Sequence, residues 1–142
     1  MDLSTNKITS CANFAGHANL RTLLLAENQL TNCAGIGNMD NLTELNLASN
    51  QITTMRDMKE LPALKKLDVS KNQMETIEEF PKLLALEWLS LEENKIEKAD
   101  QLQHLKGLSS LKTLNMTGNP WVDEKGDDFK KEVLIELDNL PI

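Results

Sequence analysis

The sequence predicts an α/β solenoid: a right-handed coil with a parallel sheet on its concave side, 3₁₀ or irregular turns on its convex side, and a C-terminal helical cap. Three observations carry this. Asparagines recur at positions 6, 28, 50, 72, 94 and 119, with spacings of 22, 22, 22, 22 and 25 residues. From Asn28 onward each closes a frame L-x-x-L-x-Φ-x-x-N, where Φ is apolar. Past each asparagine, apolar residues return at every third position. Repetition at a fixed period of about 20–29 residues marks a stack of units that bury a core only together.

The strand is legible in Leu42-Thr43-Glu44-Leu45-Asn46-Leu47-Ala48-Ser49-Asn50. Around Leu45 and Leu47 the apolar period is two, so alternate side chains turn inward. Leu20/Leu23/Leu25, Leu64/Leu67/Val69, Leu86/Leu89/Leu91 and Leu111/Leu114/Met116 are its siblings. Stacked, these segments make a parallel sheet. The asparagine serves the backbone. Where the chain leaves the sheet, peptide groups are stranded away from water, and a carboxamide supplies both donors and an acceptor. Asn6, Asn28, Asn50, Asn72, Asn94 and Asn119 therefore read as a structural ladder, each rung contributing roughly 1–3 kcal/mol.

Counting from each asparagine, position +5 holds Cys11, Cys33, Met55, Ile77 and Ala99. Position +8 holds Phe14, Ile36, Met58, Phe80 and Leu102, and position +11 holds His17, Met39, Leu61, Leu83 and Leu105. A period of three points to single 3₁₀-type turns, because an α-helix would show about 3.6. The last copy is three residues longer near Gly107-Leu108-Ser109, which predicts a more helical turn there. After Asn119 the pattern stops. Pro120-Trp121 read as a strand breaker, and Asp127 or Asp128 as the N-cap of a helix carrying Phe129, Val133 and Leu137 on one face. The expected organisation is repeats over residues 1–120, one partial and five full, with a helical cap over 121–142.

Composition agrees with a columnar core. Apolar residues make up 40% of the chain, yet aromatics are 4% and tyrosine is absent, so the core is aliphatic and methionine-rich. The net charge of −7 disfavours phosphate backbones and anionic lipid. The first residues have no apolar signal region, and no stretch approaches the roughly 18 apolar residues of a membrane span. Two cysteines without Cys-rich flanks point to a reducing compartment. The sequons at Asn41 and Asn115 are short enough to arise by chance.

The 22-residue L-x-x-L-x-L-x-x-N-x-I pattern, with its convex Φ-x-x-Φ-x-x-Φ, resembles the intracellular class of leucine-rich repeats named after a regulatory subunit of protein phosphatase 1. The long last repeat, Gly118-Asn119-Pro120-Trp121-Val122, and Phe129-Lys130-Lys131-Glu132-Val133-Leu134 leading to Leu140-Pro141, are similar to that class's cap. Members include phosphatase-1 regulators, a spliceosomal A-prime protein, acidic nuclear phosphoproteins and axonemal proteins of dynein arms and radial spokes. In texture the chain is most similar to the radial-spoke group. The resemblance implies protein binding on a concave sheet, in the cytoplasm and the axoneme of a cilium, with the nucleus as the alternative. Two departures stand out. Met1 falls at the first core position of a half-made repeat, and the cap stops before the usual closing L-x-x-L-D, so the expectation is a fragment of a longer protein.

Outward strand positions line the concave surface: Thr22, Leu24, Ala26; Glu44, Asn46, Ala48; Lys66, Asp68, Ser70; Trp88, Ser90, Glu92; and Thr113, Asn115, Thr117. Trp88 is the exception among small and polar residues, with Lys66 beside it and Leu24 two repeats away. An aromatic on a rigid sheet is the type of residue that anchors a partner. Glu44, Asp68 and Glu92 form an acidic rim suited to a basic partner, and Asn46 and Ser90 complete the candidate surface. Cys11 and Cys33 share a core column and read as buried free thiols. His17 reads as core filler and His104 as a surface residue. Gly35-Ile36-Gly37 lacks the third glycine of a phosphate loop, and Gly126 comes too early in 123–128 for a calcium loop. No nucleophile–base pair or metal cluster can be argued, so the expectation is a non-enzymatic scaffold with no metal and no cofactor. Its partner is a protein, with no direct nucleic-acid or membrane contact, and the protein itself is a monomer or associates weakly end to end. A phosphatase regulatory subunit and a protein-binding ribonucleoprotein component are the alternatives.

Overall fold

A computed structural model describes residues 1–14 and 16–128. Five three-residue strands, β1 (Thr22–Leu24), β2 (Glu44–Asn46), β3 (Lys66–Asp68), β4 (Trp88–Ser90) and β5 (Thr113–Asn115), form one sheet in chain order. All neighbours run parallel, and the register advances by one repeat per strand: Thr22, Glu44, Lys66, Trp88 and Thr113 align in one column. The next column is Leu24, Asn46, Asp68, Ser90 and Asn115. Residue Asp2 extends it by an isolated parallel bridge to Leu24, so the partial first repeat is already part of the stack.

The middle leucine of β1 to β4 points inward and is buried (Leu23, Leu45, Leu67, Leu89), as are Leu25, Leu47, Val69 and Leu91 just beyond. Each fully buried leucine contributes about 1.5–3 kcal/mol. Leu114 of β5 is only partly buried. On the convex side the period of three is realised as i→i+3 bonds: the N–H groups of Ile36 and Met58 donate to the carbonyls of Cys33 and Met55 at 3.0 Å. A second set closes three residues apart at Met39–Leu42, Leu61–Leu64 and Leu83–Leu86. Only the last repeat winds further, into a 3₁₀ helix at Ala99–Leu105. The extra residues thus lengthen the turn just before Gly107, slightly earlier than the sequence suggested.

Five asparagines make one repeated set of hydrogen bonds. Asn50, for example, donates through Nδ2 to the carbonyls of Leu25 and Leu47 at 3.0 Å, and its Oδ1 accepts from Leu30 N–H at 3.0 Å. Each rung therefore ties its own coil to the one before. Asn28, Asn72, Asn94 and Asn119 repeat the scheme and are all buried. Asn6 does not. It is exposed and, among the described residues, bonds only the carbonyls of Leu3 and Ser4 in its own coil.

Several expectations need correction. His17 is exposed, stacked obliquely on Phe14 with ring centroids 5.5 Å apart, because no described coil covers it. Met1, assigned to a core position, is 48% exposed for the same reason. Pro120-Trp121 do not simply break the chain. They open a short helix, α1 (Pro120–Lys125), with Asn119 at the N-cap and proline in its first turn, where the missing N–H costs nothing. Trp121 is 2% exposed and seals the core. Asp127 and Asp128 fall in a 3₁₀ turn, Gly126–Asp128. The helix expected to carry Phe129, Val133 and Leu137 lies outside the described residues.

Candidate functional site on the concave sheet

Short strands alternate inward leucines with outward residues, so every strand presents two side chains of known register on the open face. Trp88, half-buried, stands at the head of β4 beside Lys66 of β3. The Lys66 ammonium lies 5.4 Å from the indole centroid and 3.1 Å from Glu44 Oε1. Glu44, Lys66 and Trp88 thus form one run across three strands, in which the lysine charge is already shared. Glu44 is engaged with that lysine.

The other carboxylates are used differently. Asp68 Oδ1 accepts from the Ser70 amide at 3.0 Å and the Ser70 hydroxyl at 2.6 Å. Glu92 Oε2 accepts from Asn115 Nδ2 at 3.1 Å. The Asp68 oxygen closes a local turn and the Glu92 oxygen ties its repeat to the next, while the second oxygen of each takes no protein hydrogen bond among the described residues. Asn46 Oδ1 accepts from Ala48 N–H at 2.9 Å, a turn-closing bond of the same kind. Ser90 sits between Asp68 and Asn115 in register and is 2% exposed. Leu24 is not near the tryptophan: it belongs to the second column, three strands away, about 14 Å at the usual 4.8 Å per strand. The sequence reading counted two repeats between them, and the register shows three.

One set of residues escaped that reading. Glu87, immediately before β4, is bridged by Lys112 at 2.8 Å and Lys65 at 3.9 Å. The Lys112 hydrogen bond and charge hold its carboxyl below the ordinary range. The signal was present as an alternating Lys65–Glu87–Lys112 column at the repeat spacing.

Elsewhere the chemistry is quiet. Cys11 and Cys33 are buried free thiols, with Cys33 Sγ 3.7 Å from Met55 Sδ. Burial, with the charges of Cys11 and Asp57, pushes the Cys33 thiol up to about 12. Among the described residues no group of three or more His, Cys, Asp or Glu side chains could hold a metal ion. No described helix is long and apolar enough to cross a membrane.

A solenoid of stacked strand-and-turn units with an open sheet face belongs to a class that binds other proteins and, as a rule, catalyses nothing. The family model described as Leucine Rich repeats (2 copies) matches residues 18–60 and 40–82 of this chain. An internalin from Listeria monocytogenes is 30% identical with a TM-score of 0.64, over 80% of this chain and 33% of that one. A chain in the Drosophila melanogaster SNF/U2A′ complex is 21% identical with a TM-score of 0.63, over 72% of this chain and 59% of that one. The chain therefore spans about a third of the internalin and under two thirds of the fly protein. No curated protein sequence matches it.

Proposed function

We propose that the protein is a non-catalytic scaffold that holds a protein partner on its concave sheet, with Trp88 as the anchor. The observation that carries this is an indole standing at the head of a rigid strand, flanked by a lysine whose charge Glu44 already shares. A large, preorganised aromatic surface loses little side-chain entropy on binding, which is why such residues dominate interface energetics. The net charge of −7 supports a protein rather than a nucleic acid as the direct partner. For the setting we propose a cytoplasmic, axonemal assembly, on the resemblance of the short cap and the Asn119-Pro120-Trp121-Val122-Asp123-Glu124 run to radial-spoke proteins. Regulation of a phosphatase uses the same face and is tested by the same experiment. In titration calorimetry with the purified partner, Trp88→Ala should weaken binding at least tenfold. A change within twofold would remove Trp88 from the interface.

A further inference from the structure

Ser90 is the hub of a cross of four side chains. Two residues to either side along the chain stand Trp88, at the head of β4, and Glu92, in the turn just past the end of that strand. Across the sheet it is aligned with Asp68 on one side and Asn115 on the other. The hub itself is small and buried, so the four flanking groups are what an approaching molecule meets. Two of them are carboxylates with one oxygen uncommitted: Asp68 spends Oδ1 on Ser70, and Glu92 spends Oε2 on Asn115. The two lie diagonally on the face, one strand and one column apart, a separation of about 7–8 Å between backbone positions. The third arm is the indole, which attracts cations through the charge distribution of its ring. The nearby Lys66 does not reverse this field, since Glu44 lies 3.1 Å from its ammonium.

We propose that this cross is a subsite for one arginine side chain of the protein partner. The inference rests on the concave-face reading above and names the partner's chemistry. A planar guanidinium donates from both edges, so it can meet Asp68 Oδ2 and Glu92 Oε1 together while its face lies on Trp88. A lysine ammonium is a point charge and meets one carboxylate well at the expense of the other. A neutral side chain leaves both uncommitted oxygens unpaired. The partner therefore presents an arginine from a segment laid across β3, β4 and β5.

The test uses the isotope-labelled full chain and three probes: N-acetyl-arginine amide, N-acetyl-lysine amide and N-acetyl-citrulline amide, titrated by NMR. The arginine compound should shift the amides of Asp68, Ser90, Glu92 and Asn115 and the Trp88 indole N–H, saturating at millimolar concentration. The lysine compound should bind at least threefold more weakly, and citrulline should leave these signals in place. The Asp68→Asn/Glu92→Gln double variant, folded by its spectrum, should lose at least fivefold in arginine affinity. Equal response to citrulline, or shifts unaltered in the double variant, would overturn the subsite. In that event a partner still lost by Trp88→Ala keeps the concave-face reading, whereas a partner indifferent to Trp88→Ala with the subsite intact would move the interface and leave the arginine site standing.

Discussion

The ladder makes a prediction whose size can be worked from the structure. In Asn72→Ala, four hydrogen-bond partners lose a contact: the carbonyls of Leu47, Val69 and Ser70, at 3.0, 3.1 and 3.1 Å, and the Ile52 N–H at 2.9 Å. They do not suffer equally. Leu47 keeps the Asn50 carboxamide, Val69 keeps the Asn94 carboxamide, and Ser70 keeps the Ser49 N–H. Only the buried Ile52 amide is left with nothing. One orphaned donor costs about 1–3 kcal/mol, and with three weakened acceptors the total is about 3 kcal/mol. Asn6→Ala removes bonds to Leu3 and Ser4 at an exposed site, where water substitutes, so it should cost less than about 0.5 kcal/mol. Urea unfolding followed by circular dichroism reads both; with a slope of about 2 kcal/mol per molar, Asn72→Ala lowers the midpoint by roughly 1.5 M. Asn72→Asp adds a sign test. A carboxylate facing three carbonyl oxygens has its folded pKa raised, so its stability deficit grows as pH rises above the unfolded value near 4. Equal midpoints for Asn72→Ala and Asn6→Ala would refute the argument that each rung ties its coil to the previous one.

Further consequences are as direct. Gly35 has φ +88°, and a Cβ there would lie 1.8 Å from the Cys11 carbonyl oxygen, so Gly35→Ala should cost about 3 kcal/mol or more in the same unfolding assay. The raised Cys33 thiol binds its proton more tightly in the folded state. Its contribution is intact below the unfolded value of 9.0 and is lost as pH climbs toward about 12. Between pH 9 and 10 the wild type should therefore lose up to about 1 kcal/mol more than Cys33→Ala does. The same burial predicts that a thiol reagent at pH 8 modifies Cys33 only after unfolding. Trp121 is 2% exposed whereas Trp88 is half-buried on the open face, so the Trp88→Phe variant should emit to the blue of the wild type and resist acrylamide quenching.

The repeat period made most of the fold legible. Leu23, Leu45, Leu67 and Leu89 are buried because they recur with the asparagines, and the Φ-x-x-Φ spacing appears as i→i+3 turns. What escaped was whatever depends on the ends of the stack or on backbone conformation. His17 and Asn6 occupy the right positions in the repeat, yet no coil among the described residues lies beyond them to bury them. The residue before each rung adopts a left-handed conformation: Thr5, Glu27, Ser49, Lys71 and Glu93 have φ of 50–57°, and Gly118 has φ +77°. Glycine signals that conformation only at 118; the other five are held there by the hydrogen bonds of the asparagine that follows. On the concave face, outward orientation followed from the alternation. How the charges pair did not, because Glu44 with Lys66 and Glu92 with Asn115 are contacts between repeats, set by stacking register and side-chain reach.

The central claim is that the partner sits on the concave sheet at Trp88. The direct test is capture of the partner from native cells by tagged wild-type chain, Trp88→Ala and Leu84→Ala in parallel, followed by titration of the purified partner against each. Leu84, 60% exposed and outside the five strands, is the control for exposed apolar surface in general. The account predicts that Leu84→Ala retains wild-type affinity and Trp88→Ala loses at least tenfold. Retention by Trp88→Ala with loss in Leu84→Ala would place the interface off the sheet and contradict it.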